Sequence, residues 1–590
     1  MNSKKGQNKI CQNCKQDFVI ETEDFEFYEK IKVPPPTFCS DCRLQRRLAT
    51  YNARNLYKRN CDRCNISIIS VFSAGIDSKV YCTKCYFSDD WDATLYGKDY
   101  DFSKTFFIQF DELRKNVPQI HLRHSNNGDN CEYANSVYHS SNVYLSYGVV
   151  ASQDIYYGSL INKGNKTCLD CYNIKNNEYI YELVNSNGNF KCIYLTNSHQ
   201  CLESSFLFNC INCQNCFMSS NLRNKNYCFR NKQLTKKEYE QKISELKLGN
   251  SSEFEKITEE YYNMIKNSIY RYATIIKSTD DCTGDMLENC KNVKNSFNIY
   301  DCENLKFSIF LMNKNTDSYD LTISGRGERN YDLITSAGGS FDCKFGNRAT
   351  GNNLEYVDTC NGEDLFGCVG LKKKQYCILN KQYSKEEYFN LRKKIINHMT
   401  DMPYIDKKNR IYKYGEFFPI ELSQFAYNDT LAIQFFPLAK DQILNEGYKW
   451  KDFNNKDYQI SIISSELPEN IEMVNNSILK ETILCKDKED CKHGCTKGYK
   501  IIEEELKFYQ KMKLPLPKYC PNCRYYNRLR RTNSWKLFYR QCMCDYKVFK
   551  NTILHSQHKE GRCLNKFETA YKNETQEIIY CKQCYQQELL

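Results

Sequence analysis

Phe27 to Cys42 reads FYEKIKVPPPTFCSDC, and Phe508 to Cys523 reads FYQKMKLPLPKYCPNC. The two stretches keep an offset of 481 residues throughout, so one module stands at each end of a 590-residue chain. Carried backwards, the same offset puts Cys495 on Cys14; carried forwards, it puts Cys542 on Cys61. A chain of this length exceeds one ordinary core, so several domains are expected.

The N-terminal copy opens a run of four CxxC pairs, Cys11/Cys14, Cys39/Cys42, Cys61/Cys64 and Cys82/Cys85. A CxxC turn aims two thiolates at one point, and two such turns complete the tetrahedron that zinc takes from soft ligands. Eight thiolates therefore imply two zinc ions, whether the pairs combine in sequence or cross-braced. Redox pairs are the competing reading, but they seldom come four in a row and sit in a thioredoxin-like βαβ context that is absent here. Four protein thiolates leave no open coordination position, which makes the zinc structural.

At the C-terminus the matching first site is Cys491, Cys495, Cys520 and Cys523, with one residue more than CxxC in its first pair and with Cys485 and His493 as substitutes. For the second site, Cys563 lies 18 residues before Cys581, as Cys64 does before Cys82. This points to Cys542, Cys563, Cys581 and Cys584. Cys544, His555 or His558, on an intervening insertion, is an alternative or additional ligand. About four structural zinc ions are expected in all.

The interior is duplicated as well. YCFRNKQLTKKEYEQKI from Tyr227 recurs as YCILNKQYSKEEYFNLRKKI from Tyr376. In both, Thr235 or Ser384 precedes Glu238 or Glu387 by three residues, the capping-box pattern of a helix start. A finer repeat of about 12 residues runs through Val143, Ile155, Cys168, Ile180, Cys192, Ser204, Cys216 and Cys228, with a looser series from Tyr319 to Tyr376. Short strand-like words follow each mark. Repeats of this length predict a β-solenoid, each unit burying its apolar face by stacking on the next; an irregular β-sandwich is the alternative. Cys168, Cys192 and Cys216, two units apart, read as an internal ladder of small side chains in preference to a metal site.

The fold expected is thus multi-domain α+β, mainly β, with zinc-ribbon modules at both ends and duplicated solenoid-like repeats braced by helices. Its divisions are 1–120 (double zinc ribbon with a trailing helix), 121–232 (first repeat array), 233–277 (helical), 278–383 (second array), 384–484 (helical and irregular) and 485–590 (second double ribbon). The aromatic stretch YGEFFPIELSQFAYNDTLAIQFFPL carries no chemistry that its residues reveal.

Thirty-four cysteines in a long chain without an apolar N-terminal segment argue against a secreted disulfide scaffold and make the cytoplasm the expected compartment. No run approaches the roughly 18 apolar residues of a membrane span. The net charge of +11 is modest, but its distribution is uneven. Directly after each first zinc site, RLQRRLATYNARNLYKR (Arg43 to Arg59) and RYYNRLRRTNSWKLFYR (Arg524 to Arg540) each carry six cations and no acid. Arg43, Arg46, Arg47, Arg54 and Arg59, with Arg524, Arg528, Arg530, Arg531 and Arg540, alternate with aromatics. Guanidinium groups contact phosphates and rings stack on unpaired bases, which suggests RNA or DNA. A solvated basic face on a helix beside the zinc is the competing reading.

The run CQNCKQDFVIETEDFEFYEKIKVPPPTFCSDCRLQRR, from Cys11, resembles the bacterial "probable zinc-ribbon" domain. In that domain the first two CxxC pairs share one zinc, so the resemblance implies sequential pairing. Through YGEFFPIEL, LPLPKYCPNCR and YCKQCYQQEL, most of the chain resembles a family of long zinc-ribbon proteins common in candidate-phyla-radiation bacteria, which brings no established activity. No phosphate-binding loop, nucleophile elbow or zinc-protease helix motif is present. A non-enzymatic zinc protein that binds nucleic acid is the leading expectation, with no small-molecule substrate. A protein-interaction scaffold with purely structural zinc is the alternative.

Overall fold

In two long segments every third residue adopts a left-handed backbone. Asn173, Asn176, Tyr179, Glu182 and Asn185 have φ between 50° and 60°. The residue after each, Ile174, Asn177, Ile180, Leu183 and Ser186, is buried. Each left-handed residue turns a corner and sends the next side chain inward, so four corners complete 12 residues. Asn tolerates this conformation better than most residues, which accounts for the Asn-rich words between the strands. The computed structural model describes residues 6–589 except 125–127, 312–313, 337, 453–457, 488–493, 549–552 and 557.

The short strands pair parallel at this spacing. In the first segment Gln153–Tyr156, Lys166–Leu169, Glu178–Tyr181 and Phe190–Thr196 form one row, with Ile155 beside Cys168, Ile180 and Cys192 in turn. Ser159–Ile161, Tyr172–Lys175 and Val184–Asn187 form another. Both rows join the long strand Ser141–Val150 at one end and Phe190–Thr196 at the other. The second segment, from Ile275 to Gln382, repeats the plan, its rows meeting in Asn315–Ser324 and again in Lys344–Glu355. The walls therefore close: two barrels of parallel strands stand where the spacing predicts a solenoid or, alternatively, a sandwich.

Side-chain ladders hold successive turns in register. Outside, Asn173 Nδ2 donates to Asn185 Oδ1 at 2.8 Å, and Asn289 Nδ2 to Asp301 Oδ1 at 2.7 Å. Inside, Asn189 Nδ2 donates to Asn177 Oδ1 at 3.0 Å while its Oδ1 accepts from the Cys201 N–H at 2.9 Å. Cys168, Cys192 and Cys216 point into the core, where the thiols of Cys168 and Cys192 donate to carbonyls two residues back, Lys166 and Phe190, at 3.5 and 3.3 Å. A thiol is a weak donor and a small apolar filler, so this interior suits it.

Each barrel ends in an antiparallel hairpin, Cys228–Phe229 with Lys232–Gln233 and Cys377–Ile378 with Lys381–Gln382. Such a hairpin blunts an edge that would otherwise recruit another strand. A capped helix follows each: Glu238 and Thr235 close one capping box, Glu387 and Ser384 the other. Two further helices brace the walls. Tyr261 of Ser251–Lys266 lies against Tyr194 and Phe206 of the first barrel. Phe106 of Phe106–Asn116 packs on Tyr356 and Phe366 of the second, where a Cβ on Gly367 (φ 64°) would come within 2.8 Å of the Phe106 ring.

Candidate metal centres

Four groups of four cysteines bring their sulfurs within 4.8 Å of one another: Cys11/Cys14/Cys39/Cys42, Cys61/Cys64/Cys82/Cys85, Cys485/Cys495/Cys520/Cys523 and Cys542/Cys563/Cys581/Cys584. The first three share one construction. A strand or loop turn presents the first two thiols, as between Gln7–Ile10 and Asp17–Ile20, and a helix start presents the last two. Cys39, Cys82 and Cys520 are the N-cap residues of their helices, where the positive end of the helix dipole favours thiolate. In all four groups one backbone N–H reaches back to a first-turn sulfur at 3.2 Å: Cys39 to Cys11, Cys82 to Cys61, Cys520 to Cys485 and Cys581 to Cys542.

The spacing fits a tetrahedral ion. With zinc–sulfur bonds of about 2.3 Å, neighbouring sulfurs in a tetrahedron lie about 3.8 Å apart. Cys14 and Cys39 are 3.7 Å apart, Cys64 and Cys82 3.8 Å, and Cys495 and Cys520 3.8 Å. All eight N-terminal thiols are free and combine in sequence, as the resemblance implied. Burial pushes the Cys61 thiol up, but the backbone N–H groups around it outweigh burial and bring it down to about 7. In the barrel core, burial drives the Cys168 thiol well up and the Cys192 thiol up to about 12. Among the described residues, no grouping suited to a metal includes a barrel-core cysteine.

At the C-terminus, Cys485 takes the position expected for Cys491; Cys491 and the substitute His493 lie outside the described residues. Cys485 is 38 residues from Cys523, and its Sγ sits 3.8 Å from the Cys523 Sγ. Its strand, Ile483–Leu484, pairs antiparallel with Gly498–Tyr499 and so delivers it beside Cys495. Cys544, His555 and His558 do not replace a ligand of the last tetrad; they form a fifth group with Cys584.

The basic segments require correction. Arg43, Arg46, Arg47, Arg59, Arg524 and Arg528 are buried, and the Arg531 side chain is 5% exposed. Arg43 Nε donates to Asp320 Oδ2 at 3.0 Å. Arg47 Nη1 bridges Asp320 and Asp332, and Arg46 bridges Asp332 and Glu416. In the C-terminal copy, Arg524 joins Asp170 to Glu505, Arg528 joins Asp170 to Glu182, and Arg531 completes the set on Glu182. Burial pushes the carboxyls of Glu182 and Asp332 up, opposed by these guanidinium groups. Arg59 binds Asp62 and the Ser73 carbonyl.

Of the others, Arg54 stacks on Tyr525 at 3.8 Å and donates to Asn522, and Arg540 donates to the Lys572 carbonyl and Thr575. Arg530 is exposed and lines a cleft of 770 Å³ together with Glu255, Glu259 and Lys486. Of the aromatics, Tyr57 donates to Asp429 and Trp535 stacks on Phe435, whereas Tyr539 is exposed. The partner acids went unnoticed in the sequence, yet a signal existed. Asp170 and Glu182, like Asp320 and Asp332, lie one 12-residue turn apart, and the two pairs are 150 residues apart.

Among the described residues no helix is long and apolar enough to cross a membrane. No family model, curated protein or solved structure matches the chain.

Proposed function

We propose that this chain is a non-enzymatic scaffold in which structural zinc, held in ribbon modules at both ends, clamps two barrels of parallel strands for interaction with other proteins. One observation carries the reading. The helix that begins at the first tetrad of each module directs its arginines into buried acids of a barrel, and these ion pairs cross: the N-terminal helix Ser40–Leu48 grips the second barrel and the C-terminal helix Pro521–Leu529 the first. Zinc that fixes the helix start thereby fixes the whole assembly. The resemblance of the run from Cys11 to Arg47 to the zinc-ribbon domain supports the ribbon reading. Free thiols in such number suit a reducing compartment, hence the cytoplasm.

The test is recovery from cells after crosslinking, together with elemental analysis under reducing conditions. A scaffold retains about four or more zinc ions per chain and brings down protein without RNA or DNA. Two or fewer zinc ions would overturn the metal reading. Salt-sensitive nucleic-acid binding that falls when Arg530 and Arg540 become Gln would restore the nucleic-acid alternative.

A further inference from the structure

The insertion in the C-terminal module places three more donors beside its last tetrad. Cys544 Sγ lies 3.3 Å from His555 Nδ1, and Cys584 Sγ lies 3.5 Å from His558 Nε2. All four donor atoms are within 4.8 Å of one another. Zinc bonds of about 2.3 Å to sulfur and 2.0–2.1 Å to nitrogen put neighbouring S and N donors of a tetrahedron about 3.6 Å apart. The observed spacings fit. Cys584 belongs to this group and equally to the four-thiolate group with Cys542, Cys563 and Cys581.

We propose that the C-terminal module holds a two-metal cluster in which the Cys584 thiolate bridges a four-sulfur zinc site and a second site completed by Cys544, His555 and His558. The chain then carries five zinc ions. A thiolate sulfur has lone pairs for two soft cations. Bridging also eases a charge problem: a separate four-thiolate site carries two net negative charges, whereas two zinc ions on five thiolates and two neutral imidazoles carry one.

The surroundings are those of a ligand histidine. His555 is buried, and its other nitrogen, Nε2, lies 2.9 Å from Glu588 Oε1. A carboxylate in that position fixes the tautomer that leaves Nδ1 free to bind metal. Cys584 and Glu588 lie one turn apart in the helix Lys582–Leu589, so a single element supplies both the bridging sulfur and the carboxylate that orients His555. His558 Nδ1 is buried without a hydrogen-bond partner among the described residues, so the polar contact of this imidazole is made through Nε2, toward the shared sulfur. No position remains open for substrate, so the second metal is structural.

This inference rests on zinc occupying the tetrads, and metal counting by native mass spectrometry of the full chain separates the two ideas. Five zinc ions are expected in the parent chain, four in a His555→Gln/His558→Gln double variant, and three in Cys584→Ser, because loss of a bridging ligand releases both ions of the cluster. Glu588→Gln retains the fifth ion but binds it roughly 10- to 100-fold more weakly in chelator competition. Should Cys584→Ser misfold, titration of the parent with a chromogenic chelator gives an independent answer: one equivalent leaves first, and this step is missing from the double-histidine variant. Four ions in both the parent and the double variant would show His555 to be only an ion-pair partner of Glu588 and overturn the cluster. Five ions in the parent with four in Cys584→Ser would overturn the bridge. Two or fewer in the parent would remove the zinc reading itself.

Discussion

Arg528 Nη1 lies 2.6 Å from Asp170 Oδ1, and its counterpart in the other module, Arg47, makes the same kind of contact to Asp332 Oδ1 at 2.8 Å. Each links a helix that starts at a cysteine tetrad to a barrel some 300 residues away in sequence. The side chains are almost fully buried, so removing one partner leaves an uncompensated charge.

Asp170→Asn is therefore expected to cost about 3–5 kcal/mol of stability. The exposed Arg530→Gln should stay within about 0.5 kcal/mol of the parent. Chemical denaturation of the two variants checks this. Equal, small effects would show that the buried ion network does not hold the module to the barrel.

Cys39→Ser should release one zinc and loosen the helix Ser40–Leu48, whose Arg43, Arg46 and Arg47 reach the second barrel. Hydrogen exchange is then expected to rise in Tyr331–Ile334, which carries Asp332, while Glu178–Tyr181 of the first barrel keeps its protection. A rise in both, or in neither, would contradict the crossed docking.

Asn189→Ala removes the acceptor of the Cys201 N–H and the link to Asn177. A buried donor left without a partner costs about 1–3 kcal/mol, and the void adds to it, so roughly 2–4 kcal/mol is expected. Cys192→Ala, which deletes only a small side chain with a weak hydrogen bond, should cost roughly 1 kcal/mol. Reversal of that order would mean that packing, not the amide ladder, sets the register.

His199 supplies a pH dependence. Burial, with Arg223 and Arg271 nearby, lowers its pKa to about 4, and its Nδ1 accepts from the Asn187 N–H at 3.3 Å, which requires the neutral ring. The unfolded chain takes up this proton first as pH falls. Its contribution to stability is thus fully present above about pH 6.5 and is lost between pH 6.5 and 4. In His199→Gln the slope of stability against pH across that window should shrink by up to about one proton. An unchanged slope would show that His199 titrates normally.

Local chemistry made much of this protein readable from its sequence. The N-terminal CxxC pairs follow from their spacing, because two close thiols must share a turn whatever surrounds them; which pairs share a site was implied only by the resemblance. The strand repeat follows from side chains recurring every 12 residues, and the helix starts at Thr235 and Ser384 from hydrogen bonds within four residues. Tertiary structure decided the rest. Whether Arg47 meets a phosphate or an aspartate depends on what lies across the interface, and a helix with three arginines has the same local pattern in both cases. Asp320 and Asp332 lie over 270 residues away, on adjacent turns of a closed barrel. The choice of Cys485 depended likewise on a strand pairing, Ile483–Leu484 with Gly498–Tyr499, that cysteine spacing does not encode. Charge and ligand type are properties of a residue, whereas burial and partnership belong to the fold, and here they turned a candidate binding surface into an internal clamp.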